Sequence, residues 1–375
     1  MAGDTATAST RTMNPSAGES ERPSKVPRQF SASRGFARGR KLASLPCEGR
    51  CRERRAFRFI QMADTQFGME DSFKGRIGSG WELEVDLFKE AVRIVNRCKP
   101  AFAIVCGDLV DEFPSGERGR DNVNVEWQEQ QVKDFKSVAG TVDPSIPLLC
   151  LCGNHDIGDR PNAITIGKFV DAFGDDYFSF WCYGLKCIVV NASLWKDDED
   201  AKQERVQMDS WLDSELKEVE GGATPVLVFS HIPPFIFAAH EKDEYFNLQK
   251  ETRLKILEKL AAHGAIGWFC GHYHRNAGGT YQHSSGRSLE IVVTAAVGVQ
   301  ILDKEGGEML GKSGIAGGEI GPDKSGLRFV EVSADGRLSH VWKTFSELRE
   351  EEEAAASQPS KECAPSAAEP SAVAA

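Results

Sequence analysis

The sequence has no long hydrophobic run. Although 41% of its 375 residues are hydrophobic, no apolar stretch approaches the roughly 20 residues that a membrane-spanning helix requires. The N-terminal segment also lacks the apolar core of a secretory signal peptide. We therefore expect a soluble protein that does not bind membranes, with enough hydrophobic residues to form a substantial core.

The cysteines do not follow the spacing of a disulfide framework or a zinc finger. Five of the ten cysteines lie inside or beside apolar runs, where a reduced thiol behaves as a small hydrophobic side chain. Cys47 and Cys51 are too isolated to complete a zinc site. This placement favours a reducing compartment, and we predict the cytoplasm. The cysteines within or beside apolar runs are Cys106, Cys150, Cys152, Cys187 and Cys270.

Positive charge is scarce outside the N-terminal segment. The chain has a net charge of −11, yet residues 1–56 carry 12 Lys/Arg against 5 Asp/Glu, which leaves about −18 on the remainder. An acidic body repels the phosphate backbone of nucleic acids, because Lys and Arg supply most of the affinity for it. We therefore predict no nucleic-acid partner. The negative charge suits metal cations or is simply a solvated surface.

Hydrophobic periodicity is missing from both ends of the chain. Residues 1–34 are rich in Ser, Ala, Thr, Pro and Arg, and we interpret them as a disordered tail. Because the segment is basic and Ser-rich with few acids, an organelle transit peptide remains the alternative. Residues 350–375 are of low complexity and predict a second disordered tail.

Between the tails, strand-like apolar runs alternate with helical segments. This alternation indicates an α/β fold with largely buried sheets. Residues 326–333 and 337–345 predict a closing hairpin around Asp335-Gly336, and the Gly-rich stretch 303–325 predicts a long loop. The other predicted strands are 57–63, 101–106, 147–152, 186–191, 225–230, 266–270 and 289–295, and the predicted helices are 82–97, 126–139, 202–217 and 250–262.

Several strands end in polar residues of the kinds that bind metals. A single carboxylate after a strand is usually a turn or helix-cap residue, but five such loops in one chain indicate a common site. Loops at the carboxyl ends of strands in an open α/β sheet gather in one crevice, so we expect these side chains to converge. The residues are Asp64 and Gln66 after FIQMA, Asp108 and Asp111 in GDLVD, Asn154 and His155 in GNHD, His231 after VLVFS, and His272 and His274 in GHYH.

This set of residues suits two divalent cations about 3.5–4 Å apart. Asp108 is the natural bridge, because a carboxylate can offer one oxygen to each ion. Asp64 and His274 complete the shell of one ion. Mixed carboxylate, amide and imidazole ligands favour Mn, Fe or Zn over Ca, which prefers oxygen ligands alone. The other ion takes Asn154, His231 and His272.

The series D-x-Q, GDxxD, GNHD, SH and GHYH resembles the calcineurin-like metallophosphoesterase superfamily. Longer stretches resemble one group within it: GDDYFSFW (174–181), YFNL (245–248) and GHYHRNAGGTY (271–281). The resemblance implies one domain over residues 35–349. It also implies a four-layer α/β fold, in which two mixed β-sheets pack face to face and are flanked by helices. The implied activity is phosphomonoester hydrolysis, with phosphoserine or phosphothreonine on proteins as the substrate.

The resemblance also implies a role for each matched residue. A water that bridges the two metals would attack phosphorus, His155 would protonate the leaving group, and Asp111 would orient His155. First-metal ligands would be Asp64, Gln66, Asp108 and His274, and second-metal ligands would be Asp108, Asn154, His231 and His272.

Two positions depart from the superfamily pattern. Gln66 stands where most members have His, and its neutral amide oxygen is a weaker ligand than imidazole, so we expect a looser first metal or a harder ion such as Mn. Glu112 stands where the protein phosphatases have an Arg that holds phosphate. Another cation must then serve, and the candidates are Arg160 and Arg275.

Two further readings of function remain open. A phosphodiesterase or nucleotide hydrolase would use the same metal motifs, because these motifs do not separate monoesters from diesters. A catalytically silent scaffold is the third alternative, although scaffolds usually lose metal ligands. The sequence carries no indication of an oligomeric state.

Overall fold

The computed structural model describes residues 54–75, 80–219, 223–302 and 319–357. The predicted tail at 1–34, Cys47, Cys51 and most of the predicted loop at 303–325 lie outside the described residues. The strands are β1 (Phe57–Met62), β2 (Phe102–Cys106), β3 (Leu148–Leu151), β4 (Phe178–Cys182), β5 (Leu185–Val189), β6 (Val226–Phe229), β7 (Ala265–Cys270), β8 (Ala277–Gln282), β9 (Ser288–Val293), β10 (Gln300–Leu302), β11 (Glu319–Gly321), β12 (Gly326–Val332) and β13 (Leu338–Thr344). The helices are α1 (Met69–Phe73), α2 (Glu82–Cys98), α3 (Val125–Ala139), α4 (Asn154–Ile157), α5 (Ala163–Phe173), α6 (Ser193–Lys196), α7 (Lys202–Lys217), α8 (Lys250–Ala262) and α9 (Phe345–Ser357).

Two mixed sheets form the centre of the fold. The first has the strand order β13-β12-β1-β2-β3, in which β1, β2 and β3 are parallel, β12 is antiparallel to β1, and β13 is antiparallel to β12. The second has the order β4-β5-β6-β7-β9-β8, in which the four central strands are parallel and β4 and β8 are antiparallel edges. The carboxyl ends of β1–β3 and of β6 and β7 carry the loops with the predicted metal-binding residues.

The two sheets pack face to face through aromatic side chains. Phe59 of β1 lies with its ring centroid 5.7 Å from Phe229 of β6 and 5.3 Å from Phe269 of β7. Phe102 of β2 lies 5.4 Å from Phe180 of β4. Successive side chains of a strand point to opposite faces of the sheet. The contact between the sheets therefore buries only every second side chain of each strand.

The remaining side chains of each strand point to the opposite face of the sheet and pack under helices. In β1, Phe59 belongs to the core between the sheets, whereas Ile60 and Met62 belong to the core beneath the helices. Phe88 of α2 and Phe135 of α3 stack there with centroids 4.9 Å apart. Helices therefore flank the paired sheets, and the predicted α/β fold with two mixed, face-to-face sheets is confirmed.

Nine of the described elements were not predicted from hydrophobic periodicity: β4, β8, β10, β11, α1, α4, α5, α6 and α9. β8 (AGGTYQ) contains few apolar residues and lies at the sheet edge, and α5 is short with Gly167 in its interior. α9 extends to Ser357, so the predicted disordered tail at 350–375 is wrong for residues 350–357, where a Glu/Ala-rich sequence has high helix propensity. Within the described part of the chain, no helix is both long and apolar enough to cross a membrane.

Candidate metal centre

The predicted metal-binding residues converge where the two sheets meet. Asp64 follows β1 and Asp108 follows β2, whereas His231 follows β6, and His272 and His274 follow β7. All five side chains are buried, with at most 5% exposed surface. Each parallel strand delivers its terminal loop to the same edge, so the two sheets together enclose one polar site in an otherwise apolar interior.

The five side chains form two overlapping groups that could each hold a metal ion. One group is Asp108, His231 and His272, and the other is Asp64, Asp108 and His274. Within each group the candidate ligand atoms lie within 4.8 Å of one another. Asp108 belongs to both groups, and this is the geometry required of a carboxylate that bridges two ions.

His231 lies at the centre of the first group with its acceptor nitrogen turned inward. Its Nδ1 lies 2.8 Å from the carbonyl oxygen of Cys106, which can only accept a hydrogen bond, so Nδ1 carries the proton in the neutral ring. Its Nε2 lies 3.1 Å from Asp108 Oδ2, 3.1 Å from His272 Nδ1 and 3.2 Å from Asn154 Oδ1. Two imidazole nitrogens, a carboxylate oxygen and an amide oxygen therefore face one point, which fits a cation there.

In the second group, too, a histidine has its Nδ1 beside a backbone carbonyl oxygen and its Nε2 beside a carboxylate. His274 Nδ1 lies 2.9 Å from the carbonyl oxygen of Val299, and its Nε2 lies 3.3 Å from Asp64 Oδ1. Gln66 donates from Nε2 to Asp111 Oδ1 at 3.0 Å, which leaves its buried Oε1 without a hydrogen-bond partner in the described part of the chain. A buried, unpartnered oxygen is costly, and a cation would satisfy it. The residues present therefore fit two metal ions.

The backbone of these loops is strained at the candidate ligands. Among the described residues, seven other than glycine have a positive φ, and five of them are predicted metal-binding residues. A left-handed conformation costs roughly 1–2 kcal/mol for a residue with a side chain, and such strain gathers at functional sites. The five are Asp64, Gln66, Asp108, His272 and His274, with φ between 35° and 71°.

Glycines allow the loops to approach one another. A Cβ on Gly107 would lie 2.6 Å from His231 Nδ1, and a Cβ on Gly271 would lie 2.6 Å from Asp64 Oδ2. Both distances are below normal contact, so only glycine lets the backbone pass this close to the candidate ligands.

The buried charges shift one another's pKa values. Burial lowers the pKa of His231, but the carboxylates of Asp108 and Asp64 outweigh it and raise that pKa to about 9. Burial and the neighbouring charge of His231 hold the pKa of His272 well below its usual range. Burial and Asp108 raise the pKa of Asp156 to about 7. Asp156 accepts hydrogen bonds from the backbone of Gly153 at 2.8 Å and Leu109 at 3.1 Å, so it ties two metal-site loops together.

His155 lies beside the two groups, and a backbone carbonyl fixes its ring. Its Nδ1 lies 2.6 Å from the carbonyl oxygen of Asp111 but 3.7 Å from the Asp111 carboxylate. That carboxylate instead accepts hydrogen bonds from Gln66 Nε2 at 3.0 Å and Ser72 Oγ at 2.5 Å. The predicted contact between Asp111 and His155 is present, but the orienting atom is the main-chain oxygen because Gln66 and Ser72 occupy the side chain.

The two predicted phosphate-binding arginines contact groups outside the clusters. Arg160 pairs with Asp197 at 3.4 Å and with Glu199. Arg275 donates to the carbonyl oxygen of Ile301 at 3.1 Å, and its guanidinium lies 4.9 Å from the ring centroid of Tyr273. Their role in binding phosphate stays a prediction.

Several neighbours of the site were not among the predicted site residues. Asn154 Nδ2 donates to Asp159 Oδ1 at 2.9 Å and to the Tyr245 hydroxyl at 3.2 Å, which directs Asn154 Oδ1 towards His231. The ring of Phe113 lies 4.2 Å from the His155 ring. Tyr245 falls within the YFNL string that carried the resemblance, but nothing about Asp159 or Phe113 distinguishes them from ordinary loop residues.

Comparison with known proteins agrees with this geometry. The profile of the calcineurin-like phosphoesterase family matches residues 57–276, a range that contains every candidate ligand. The human protein named serine/threonine-protein phosphatase CPPED1 is 36% identical over 322 residues, which cover 84% of this chain and 92% of the human one. The chain belongs to the calcineurin-like phosphoesterase family. The zebrafish protein of the same name is 39% identical over 301 residues, covering 78% of this chain and 86% of its own.

Membership of the calcineurin-like phosphoesterase family makes the protein a hydrolase of the metal-dependent phosphatase type. A solved structure described as GAP50, the anchor in the inner membrane complex of Plasmodium, is similar in fold, with a TM-score of 0.50. It is 12% identical in sequence, and the match covers 78% of this chain and 85% of that one. This likeness concerns the fold alone, because one fold hosts unrelated functions.

Proposed function

We propose that this protein is a phosphomonoesterase that removes phosphate from phosphoserine and phosphothreonine residues of proteins, using two divalent cations. The observation that carries the proposal is the buried Asp108 carboxylate shared between two groups of candidate ligands. Phosphoprotein substrates are supported by the relatives, which are named serine/threonine-protein phosphatases over most of the length of both chains. The seven cysteines in the described ranges are all free thiols, which supports a cytoplasmic location.

The proposed ligands divide into two sets that share one residue. Bound cations supply an acidified water as the nucleophile and offset charge on the phosphoryl oxygens. The mixed donor set favours Mn, Fe or Zn. Gln66 contributes a neutral amide oxygen, so its site is the weaker of the two. The first set is Asp64, Gln66, Asp108 and His274, and the second is Asp108, Asn154, His231 and His272.

His155 is the proposed general acid. Its Nδ1 proton is held by the Asp111 carbonyl oxygen, so the proton given to the leaving alkoxide comes from Nε2 of the doubly protonated ring. Burial lowers the pKa of His155, but Asp108 and Asp111 outweigh it, and the pKa lies above its ordinary value. A raised pKa favours the protonated imidazolium that this role requires.

The test combines elemental analysis with a substrate panel. Purified protein loaded with Mn, Fe or Zn is assayed against phosphoserine and phosphothreonine peptides, linear and cyclic nucleotide diesters, and nucleoside monophosphates. We expect about two metal ions per chain and preferential hydrolysis of the phosphopeptides. Asp108→Asn serves as the inactive control, because Asp108 belongs to both proposed sites.

Other outcomes of this panel would replace the proposal. Faster cleavage of the diesters would make the protein a phosphodiesterase. Two tightly bound metals with no hydrolysis of any ester would favour a scaffold role.

A further inference from the structure

Glu112 closes the loop that follows the GDLVD motif. Its Oε1 accepts a hydrogen bond from the backbone nitrogen of Asn124 at 3.1 Å, and its own backbone nitrogen donates to Gln131 Oε1 at 2.9 Å. Asn124 in turn caps α3 by accepting from the Trp127 nitrogen at 3.1 Å. The Glu112 side chain therefore ties residue 112 to residue 124 and closes the loop between them.

The folded loop brings Arg120 onto the far side of Phe113 from His155. The Arg120 guanidinium carbon lies 3.4 Å from the Phe113 ring centroid, and the His155 ring lies 4.2 Å from the same centroid. Two planar groups this close to one centroid cannot share a face of the ring, so the three side chains form a stack. Stacking on an aromatic face holds a guanidinium in a defined plane.

Two carboxylates fix the rotation of Arg120 within that plane. Its Nε donates to Glu117 Oε2 at 2.6 Å, and its Nη2 donates to Asp159 Oδ2 at 2.7 Å. The other oxygen of Asp159 accepts from Asn154 Nδ2 at 2.9 Å. A single side chain, Asp159, therefore connects Arg120 to the proposed ligand Asn154. Another single side chain, Phe113, lies between Arg120 and the proposed acid His155.

One edge of the guanidinium remains available. Arg120 makes its hydrogen bonds through Nε and Nη2, and within the described ranges Nη1 contacts no acceptor. The side chain is one-third exposed, at 33%. Arginine has five N–H donors, and donors left over after anchoring are suited to a phosphoryl oxygen.

We propose that Arg120 is the substrate-binding cation of this phosphatase, with Nη1 donating to a non-bridging oxygen of the bound phosphoryl group. The proposal rests on the proposed function and deepens it. Glu112 is negatively charged and cannot bind phosphate. Arg120, near the other end of the loop that Glu112 closes, would supply the positive charge instead. Arg160 pairs with Asp197 and Glu199, and the guanidinium of Arg275 packs against Tyr273.

The test compares Arg120→Gln with Arg118→Gln in the metal-loaded protein. Arg118 lies on the same loop but pairs with Glu199 at 2.8 Å and Asp200 at 2.9 Å, and it is 56% exposed. Binding of inorganic phosphate is measured by calorimetry, and kcat/KM is measured with a phosphoserine peptide. We expect Arg120→Gln to weaken phosphate binding about tenfold, the loss of one charge-assisted hydrogen bond, and to lower kcat/KM about 100-fold. Arg118→Gln should stay within about threefold of the wild type in both.

Arg120→Lys and the metal content of each variant distinguish direct binding of phosphate by Arg120 from a structural role in positioning Asn154. Lysine keeps the positive charge but lacks the planar guanidinium that Glu117 and Asp159 hold in place. We therefore expect a phosphate affinity between those of the wild type and Arg120→Gln, with two metals still bound. A fall in metal content that matches the lost binding would overturn the proposal and make Arg120 a support for Asn154. Unchanged phosphate affinity in Arg120→Gln would overturn it too, as would a wild-type protein that does not bind phosphate. If the wild type binds phosphate through Arg120 yet hydrolyses no ester, the inference stands and the proposed function fails.

Discussion

Gln66 alters the chemistry of both groups that it touches. Its Nε2 lies 3.0 Å from Asp111 Oδ1 and 3.2 Å from His155 Nε2, so a neutral His155 accepts a hydrogen bond from the amide. Once His155 is protonated, two donors would face each other across that distance, and the amide group must shift. The residue that we expect to weaken one proposed metal site is therefore also in contact with the proposed acid.

The role of His155 predicts a dependence on the leaving group. His155→Asn removes the proton donor, so we expect kcat on a phosphoserine peptide to fall about 10²–10⁴-fold. 4-Nitrophenyl phosphate has a far less basic leaving group and should lose about tenfold or less. His283→Asn is the matched control, because His283 pairs with Glu258 at 3.1 Å outside the site. Equal losses on both esters would remove His155 from the acid role, provided that the metal content is unchanged.

Strand ends were predictable from the sequence because their apolar runs are buried on both faces. The runs before Asp64, Asp108 and His231 match β1, β2 and β6 within one or two residues. The position of Arg120 was not predictable, because it depends on contacts between residues far apart in the chain. The hydrogen bond from Arg160 N to Glu117, at 2.8 Å, is one such contact. Local patterns therefore located the candidate ligands but not the groups that would surround a substrate.

Helix α8 holds another loop of the site in place. Arg253 on this helix is fully buried, at 0% exposure. Its guanidinium donates to the carbonyl oxygens of Ala239 at 2.8 Å and Leu248 at 2.7 Å, and to Asp243 Oδ1 at 2.9 Å. These bonds span the loop that carries Tyr245 to Asn154, so one helix residue fixes the shape of one wall of the site.

Removing this anchor should destabilise the loop and the fold. Arg253→Met keeps the hydrophobic stem but leaves several buried carbonyl oxygens without donors, so we expect the free energy of unfolding to fall by about 3 kcal/mol. Lys255→Met is the control on the same helix, because Lys255 is 73% exposed and pairs only with Glu251 in the described structure. It should change stability by less than about 0.5 kcal/mol. Urea denaturation measures both, and limited proteolysis should cut between residues 239 and 248 sooner in Arg253→Met alone.

On the scale of the whole molecule, the candidate metal centre connects the two sheets. Asp64 and Asp108 come from the first sheet, whereas His231, His272 and His274 come from the second. The sheets otherwise meet through apolar contacts such as Phe59 with Phe269. A cation bound by ligands from both sheets would be absent from the unfolded chain, so metal binding adds directly to the stability of the folded state.

The sharing of Asp108 therefore predicts unequal effects of two substitutions on metal-dependent stability. At a metal concentration of 100 times the dissociation constant, each site adds about 2.7 kcal/mol, so Mn should raise the Tm of the wild type by about 10 °C over its value in EDTA. Asp108→Asn should abolish this rise, because both sites lose a ligand, whereas His274→Asn should retain about half of it. Asp200→Asn, which removes only a partner of Arg118, should leave the rise intact. Since each variant is compared with itself in EDTA, any effect of the substitution on the metal-free fold cancels. An equal loss in Asp108→Asn and His274→Asn would mean that the two groups hold a single ion, and the dinuclear arrangement would then be wrong.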